Sequence, residues 1–269
     1  MNELTLDELK RIEFDILKHF DSFCKEHNIR YYLAYGTLLG AIRYKKFIPW
    51  DDDVDVLVPR DDYDRLLKIY EDNAKYKLFA FEKDGEFYYP FAKLCDLSTR
   101  KDMPEFRNRD AIPGVEMDIF PLDCWHSDYG AAKKEAKSIY RLISFLQASH
   151  RRKSPVKKRI KSLLWQVISA YARIRTHKYF NKKIVKKSKE NKQDDPAFVG
   201  SKSWCIYGVR GIIPAEAFAD VTYVEFEGGM FPAPVGYDTY LTCLYGNYLP
   251  EPPKEKQKTH HSFKAYKIN

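Results

Sequence analysis

The segment GTLLGAIRYKKFIPWDDDVDVLV, residues 36–58, decides how the rest of the chain reads. Its second half alternates Asp53, Val54, Asp55 and Val56. Successive side chains of a strand point to opposite faces, so this order puts the two carboxylates together and the two valines on the other side. Carboxylates projecting the same way repel unless a cation sits between them, and hard oxygen ligands suit Mg²⁺ or Mn²⁺. A second segment, Val115-Glu116-Met117-Asp118-Ile119-Phe120, alternates in the same manner and offers Asp118 or Glu116 as a third ligand from a neighbouring strand.

Working outward, Gly36-Thr37 breaks a strand expected over Arg30 to Tyr35 and precedes a short helix over Leu38 to Arg43. A glycine and a hydroxyl at such a helix start make a suitable phosphate cradle. Before it, Leu9, Ile12, Ile16, Leu17, Phe20 and Phe23 have the spacing of an amphipathic helix over Leu4 to His27, opened by a capping box from Thr5 to Glu8. After it come a strand over Val54 to Val58, a helix over Arg60 to Asn73, and strands around Lys77 to Phe81, Tyr88 to Cys95 and Val115 to Phe120. Tyr237 to Tyr245 reads as a last helix stopped by Gly246. The fold class expected is α/β, in the α+β sense.

Charge divides the 269 residues into unlike parts. Residues 131–195 hold 20 Lys/Arg against 4 Asp/Glu, a net of +16, which leaves the other 204 residues at −8. That section reads as two basic helices interrupted near Ser154-Pro155, and an anionic membrane surface, a polyanionic acceptor or a nucleic acid would suit it. Three sections are expected: a core over 1–130, the basic helices over 131–195, and a carboxy-terminal part over 196–269 that completes the domain of the first. Five cysteines, odd in number, widely spaced and without a Cys-x-x-Cys pair, argue against a disulfide framework or zinc knuckle and suit a reduced cytoplasm. Neither a signal peptide nor a run of the roughly 18 apolar residues needed for a membrane span is expected.

The order Gly-Thr, Asp-x-Asp, Asp is the pattern of the nucleotidyltransferase fold. In haloacid-dehalogenase and glycosyltransferase patterns the acidic pair ends a hydrophobic strand, whereas here the apolar residues follow it. An EF-hand loop would need a central Gly and a terminal Glu at fixed offsets, and these are missing. Residues 36–55, with Glu116-Met117-Asp118-Ile119-Phe120-Pro121-Leu122-Asp123 and Phe231-Pro232-Ala233-Pro234 through Tyr245-Gly246, resemble the LicD family, bacterial phosphocholine transferases related to fukutin-type proteins. The resemblance is strong over 20–125, moderate over the last 40 residues and slight in the basic middle.

This resemblance implies a nucleotidyltransferase-like mixed sheet flanked by helices, with a basic helical insertion. It implies transfer of phosphocholine from CDP-choline to a sugar hydroxyl of a lipid-linked glycan precursor, of teichoic acid or lipopolysaccharide type. Asp53, Asp55 and Asp118 would be catalytic and would hold Mg²⁺ (or Mn²⁺) against the diphosphate as CMP leaves. Asp118 or Asp52 would accept the hydroxyl proton. Gly36, Thr37, Arg43, Asp52 and Lys93 would contact substrate. Choline calls for aromatic faces, for which Trp50, Tyr88, Tyr89, Trp125, Trp204 and Tyr207 are candidates; His260-His261 is a further candidate contact. A cytoplasmic protein, peripheral at the inner face of the membrane and not bound to nucleic acid, is expected. Transfer of a nucleotidyl group, or of ribitol or glycerol phosphate, keeps the same fold. A basic nucleic-acid or membrane-binding module with a structural acidic pair is the non-enzymatic alternative.

Overall fold

A computed structural model describes residues 2–108, 112–152, 159–259 and 263–268, with backbone alone for 159–164. Lys153, Ser154, Pro155, Lys157, Lys158, His260 and His261 lie outside the described residues. Helix α1 (Leu6–Glu26) starts at the expected capping box, in which the Glu8 N–H donates to Thr5 Oγ1 and the Thr5 N–H to Glu8 Oε2. Strand β1 (Tyr32–Leu33), helix α2 (Tyr35–Tyr44), strand β2 (Asp55–Pro59) and helix α3 (Arg60–Ile69) follow. Next come β3 (Tyr76–Phe79), the single turn α4 (Phe81–Asp84), β4 (Ala92–Asp96), β5 (Thr99–Asp102) and β6 (Val115–Cys124). Helices α5 (Tyr129–His150) and α6 (Arg159–Ser188) carry the basic section. The chain finishes with β7 (Phe198–Gly200), β8 (Ile213–Pro214), the hairpin β9 (Val221–Phe226) and β10 (Gly229–Pro234), α7 (Tyr237–Tyr245) and β11 (Lys264–Lys267).

The main sheet runs β1-β2-β6-β4-β3, extended by β7 on β6 and β8 on β7. Only β2 and β6 pair in parallel; every other ladder in the sheet is antiparallel, so the fold is mixed α/β as expected. Because β7 pairs with β6, residues beyond the basic section complete the same sheet. The principal core gathers α1, the sheet, α7 and the β9–β10 hairpin, while a second apolar cluster around Trp125, Ile139, Leu146 and Phe180 lies under α5 and α6. No described helix is long and apolar enough to cross a membrane, and all five cysteines are free.

Three local expectations are corrected. Gly36-Thr37 does not precede the helix but lies in its first turn, because the chain turns earlier, at Tyr35, whose φ of 44° is left-handed. Strand β2 runs from Asp55 to Pro59, one residue later than the expected Val54 to Val58, and so leaves Asp53 in the loop before it, although the Asp118 N–H already donates to Val54 O at 2.8 Å. Strand β4 begins at Ala92, after Pro90, which has no N–H to give a ladder.

Two glycines let the loop after α2 fold back on that helix. A Cβ at Gly40 would lie 2.6 Å from Lys46 O, and one at Gly36 would lie 2.5 Å from Asp51 Oδ2. Thr37 then ties helix to strand: its buried Oγ1 accepts the Asp55 N–H at 2.8 Å. Removing that acceptor leaves a buried N–H unsatisfied, at about 1–3 kcal/mol. Thr37→Val, which keeps the volume, is expected to lower denaturant stability by about that amount, and Thr37→Ser to retain most of it, as read from urea midpoints.

Candidate active site

Strand register sets the centre of the site. Asp118 on β6 lies opposite Asp55 of β2 on one side and Lys93 of β4 on the other, so an Asp55–Asp118–Lys93 row crosses one face of the sheet. Two residues before Asp118, Glu116 faces the same way. The Lys93 ammonium donates to Asp118 Oδ1 and, at 3.2 Å, to Glu116 Oε1, and Lys101 of β5 reaches the same Glu116 oxygen at 2.6 Å. Lys93 is only 5% exposed, so its charge is held by these carboxylates, not by water.

Above this row the loop from Trp50 brings Asp51, Asp52 and Asp53 together, one carboxylate oxygen of each lying within 4.8 Å of the others. The set converging most tightly among the described residues is therefore 51–53, with Asp53 adjoining both this loop and the Asp55–Asp118 pair. Asp51 takes the space beside Gly36 at the start of α2, where the helix dipole favours an anion. Thr37, the other half of the expected phosphate cradle, is turned inward to Asp55.

Glu13 joins them from α1 and escaped the sequence reading. It is 2% exposed, its Oε2 has no hydrogen-bond partner among the described residues, and it lines the same cavity as Asp52 and Asp53. Its signal was present: position 13 falls on the buried stripe of Leu9, Ile16, Leu17 and Phe20. A carboxylate there needs a reason.

Burial and mutual repulsion set the protonation of the cluster. Burial first, then the charges of Asp53, Asp118 and Asp51, push Asp55 well above the usual carboxylate range against the pull of Lys93. Asp118 is raised chiefly by burial, which outweighs Lys93, and Glu13 by burial with Asp53 next. Glu116 goes the other way: burial favours its neutral form, but Lys101 and Lys93 together lower it. Crowded acids forced toward protonation are a site short of positive charge. Clustered, buried oxygen ligands of this kind fit a hard divalent cation.

Two cavities meet at these acids. The first, about 310 Å³, has Glu13, Asp52, Asp53, Glu116, Asp118, Lys93 and Lys101 on its polar side and Tyr89, Phe91, Phe106 and Trp204 on its aromatic side. The second, about 540 Å³, shares Asp53, Asp118 and Trp204 and adds Asp55, Tyr35, Trp50, Tyr207, Tyr245, Arg43 and Lys256. Of the aromatic candidates, Tyr88 lines the first cavity but its ring is stacked on His150, 3.7 Å between centroids. Trp125 lines neither; it is fully buried and donates its indole N–H to Gly211 O. Arg43 lines the second cavity while its guanidinium holds the carbonyls of Tyr248 and Pro250, which fixes the segment after α7 as a wall.

Residues 28–121 match the family described as LicD/FKTN/FKRP, nucleotidyltransferase domain. Over 276 aligned residues, 99% of each chain, the sequence is 33% identical to the lipopolysaccharide cholinephosphotransferase LicD of Haemophilus influenzae. It is also 36% identical over 56 residues, 21% of each chain, to the uncharacterized protein RP689 of Rickettsia prowazekii. A similar match of 37% over 49 residues, 18% of this chain and 16% of the other, links it to RT0683 of Rickettsia typhi.

The raised acids have a consequence for stability in divalent-free buffer. A folded carboxyl that titrates above its unfolded value binds more protons in the native state, so its contribution to stability falls as pH rises above the unfolded value. Asp55→Asn removes that penalty. The variant is expected to melt about 2–4 °C above the parent near pH 8, with the gain shrinking as pH falls toward the ordinary carboxylate range near 4; differential scanning calorimetry across pH reads both.

Proposed function

The chain belongs to the LicD family, and from that premise we propose that it transfers phosphocholine from CDP-choline to a sugar hydroxyl of a lipopolysaccharide or teichoic acid type precursor, on the cytoplasmic side of the membrane. The observation that carries this reading is the full-length similarity to a cholinephosphotransferase, which spans every residue of both cavities.

The nucleotide belongs in the second cavity, where Trp50, Tyr207 and Tyr245 offer faces to a base and Arg43 and Lys256 offer positive charge to phosphate. Choline belongs in the first, with Trp204 and Phe106 as faces and Glu13 as counter-charge; Tyr89 and Phe91 already carry the Lys93 ammonium at 4.6 and 5.5 Å from their ring centres. The diphosphate then crosses Asp53 and Asp118, which line both cavities. Asp53, Asp55 and Asp118 would hold Mg²⁺ or Mn²⁺, with Asp51 and Asp52 beside them. The cation, when bound, neutralises charge on the diphosphate and on the departing CMP. Lys93 and Lys101 keep Glu116 ionised and out of the proton traffic. Asp52 takes the proton of the attacking hydroxyl as its oxygen bonds to the choline-bearing phosphorus and the bond from that phosphorus to CMP breaks.

A nucleotidyl reading keeps the same site and is favoured by the matched domain's description. Attack at the nucleoside-proximal phosphorus would put CMP on the acceptor and release phosphocholine. Incubation with CDP-choline, Mg²⁺ and a lipid-linked glycan is expected to release CMP and leave phosphocholine on the glycan; acceptor-bound CMP would instead show nucleotidyl transfer. Asp53→Asn and Asp55→Asn are each expected to lower turnover by about a hundredfold or more, whereas Glu116→Gln should cost less. Wild-type turnover by either Asp variant would remove the metal site from the account. Gly36→Val, which displaces Asp51, should weaken CDP-choline binding by calorimetry.

A further inference from the structure

Helix α6 has a kink at Thr176, where φ is 65°, and the helical run before it has two unlike faces. Ser169 and Ala172 are buried against α5, Ser169 donating its hydroxyl to Ala148 O at 2.8 Å. Roughly 140–160° around the helix from Ser169 stand Val167, Tyr171 and Ile174, at 67%, 44% and 80% exposure. Tyr171, between the other two, also meets the Phe145 ring of α5 edge-on, 5.7 Å between centroids, while Val167 and Ile174 give the stripe its most exposed apolar surface. Arg175 is exposed beside it, over the Tyr171 ring; Arg173 is exposed nearer the α5 side and donates its Nε to Ser169 O at 3.1 Å; Lys134, Lys137, Tyr140 and Arg141 are exposed along α5. None of these cations has an acidic partner among the described residues.

We propose that this face of the α5–α6 hairpin docks on an anionic lipid bilayer, Val167, Tyr171 and Ile174 entering the interface while the surrounding arginines and lysines meet lipid phosphates. Both halves of the surface are then used. Amphipathic interfacial helices combine an apolar face with a basic flank in this way, and each cation near an anionic leaflet strengthens binding about fivefold. A second copy of the chain fits less well. Three side chains offer no more than about 500 Å², against roughly 800 Å² per partner in a stable interface, and a two-fold contact would bring like charges together. Nucleic acid would use the charge and leave the apolar stripe in water. Through Ser169 and Tyr171 the same helix touches Ala148 and Phe145 of α5, close along the chain to Gln147 and Arg151, which line the first cavity. This docking is independent of the chemistry assigned to the site.

The test is co-sedimentation of the full chain with phosphatidylglycerol–phosphatidylethanolamine vesicles and with pure phosphatidylcholine vesicles. The parent is expected to bind the anionic vesicles and lose them with added salt. Val167→Ser/Ile174→Ser should weaken binding at least tenfold at unchanged salt sensitivity, and Arg173→Gln/Arg175→Gln should weaken it while flattening the salt dependence. All four positions are exposed, so melting temperatures should match the parent. In a Val167→Trp variant the indole emission should shift blue with anionic vesicles and be quenched by brominated lipid. Equal binding by the double-serine variant, or an unshifted Val167→Trp emission, overturns the proposal. So does a concentration-dependent dimer in sedimentation equilibrium that the serine variant abolishes, or retention of a single-stranded oligonucleotide in preference to vesicles.

Discussion

Mutual repulsion among buried and half-buried carboxylates is the constraint around which this molecule is arranged. Glu13, Asp51, Asp52, Asp53, Asp55 and Asp118 come from four different parts of the chain, and Lys93 and Lys101 give their charge mainly to Glu116 and Asp118. Each connection that delivers an acid is itself costly to break. Register fixes Asp118 between Asp55 and Lys93, the Thr37 hydroxyl fixes the start of β2, and Gly36 leaves room for Asp51. A fold whose only purpose was stability would replace such acids with apolar residues. Their retention in the interior is the physical case for a site that binds positive charge.

Part of this was legible in the sequence because strand alternation is a local rule. Period alone puts Asp53 with Asp55 and offers Asp118 or Glu116 from a second strand; the parallel pairing of β2 and β6 is what brings Asp118 face to face with Asp55. What period could not give was the contribution of other elements. Glu13 arrives by the packing of α1, and Lys101 from β5, a strand paired outside the main sheet with β11. Gly36 is helical, in the first turn of α2, and what its missing side chain leaves is space for Asp51, a contact from another loop that the local sequence does not show. Arg43 was placed beside phosphate on its charge; its guanidinium also reaches two carbonyls more than two hundred residues away, a tertiary contact that no local pattern encodes.

The two-part charge distribution has a structural use as well. Lys178 pairs with Glu86, Lys189 with Glu82 and Asp64, and Lys192 with Asp61, so the basic helices are stitched to the acidic core along one side. Pairs this exposed contribute little each, the usual range being about 0–1 kcal/mol. They orient the hairpin more than they stabilise it. The buried Lys202–Glu135 pair anchors the same helices from within. Among the described residues, Lys134, Lys137, Arg141, Arg173 and Arg175 of the same hairpin have no acidic partner.

If the acidic cluster is short of a divalent cation, binding one must expel protons, and these can be counted. Titration calorimetry with Mn²⁺, repeated in two buffers of different ionisation enthalpy, counts the protons expelled on binding. Because Asp55, Asp118 and Glu13 are pushed toward their protonated forms in the cation-free protein, binding should be saturable and should release protons, more of them as pH is lowered from about 8 to about 6. No saturable binding, or binding that releases no protons at any pH in that range, would contradict it.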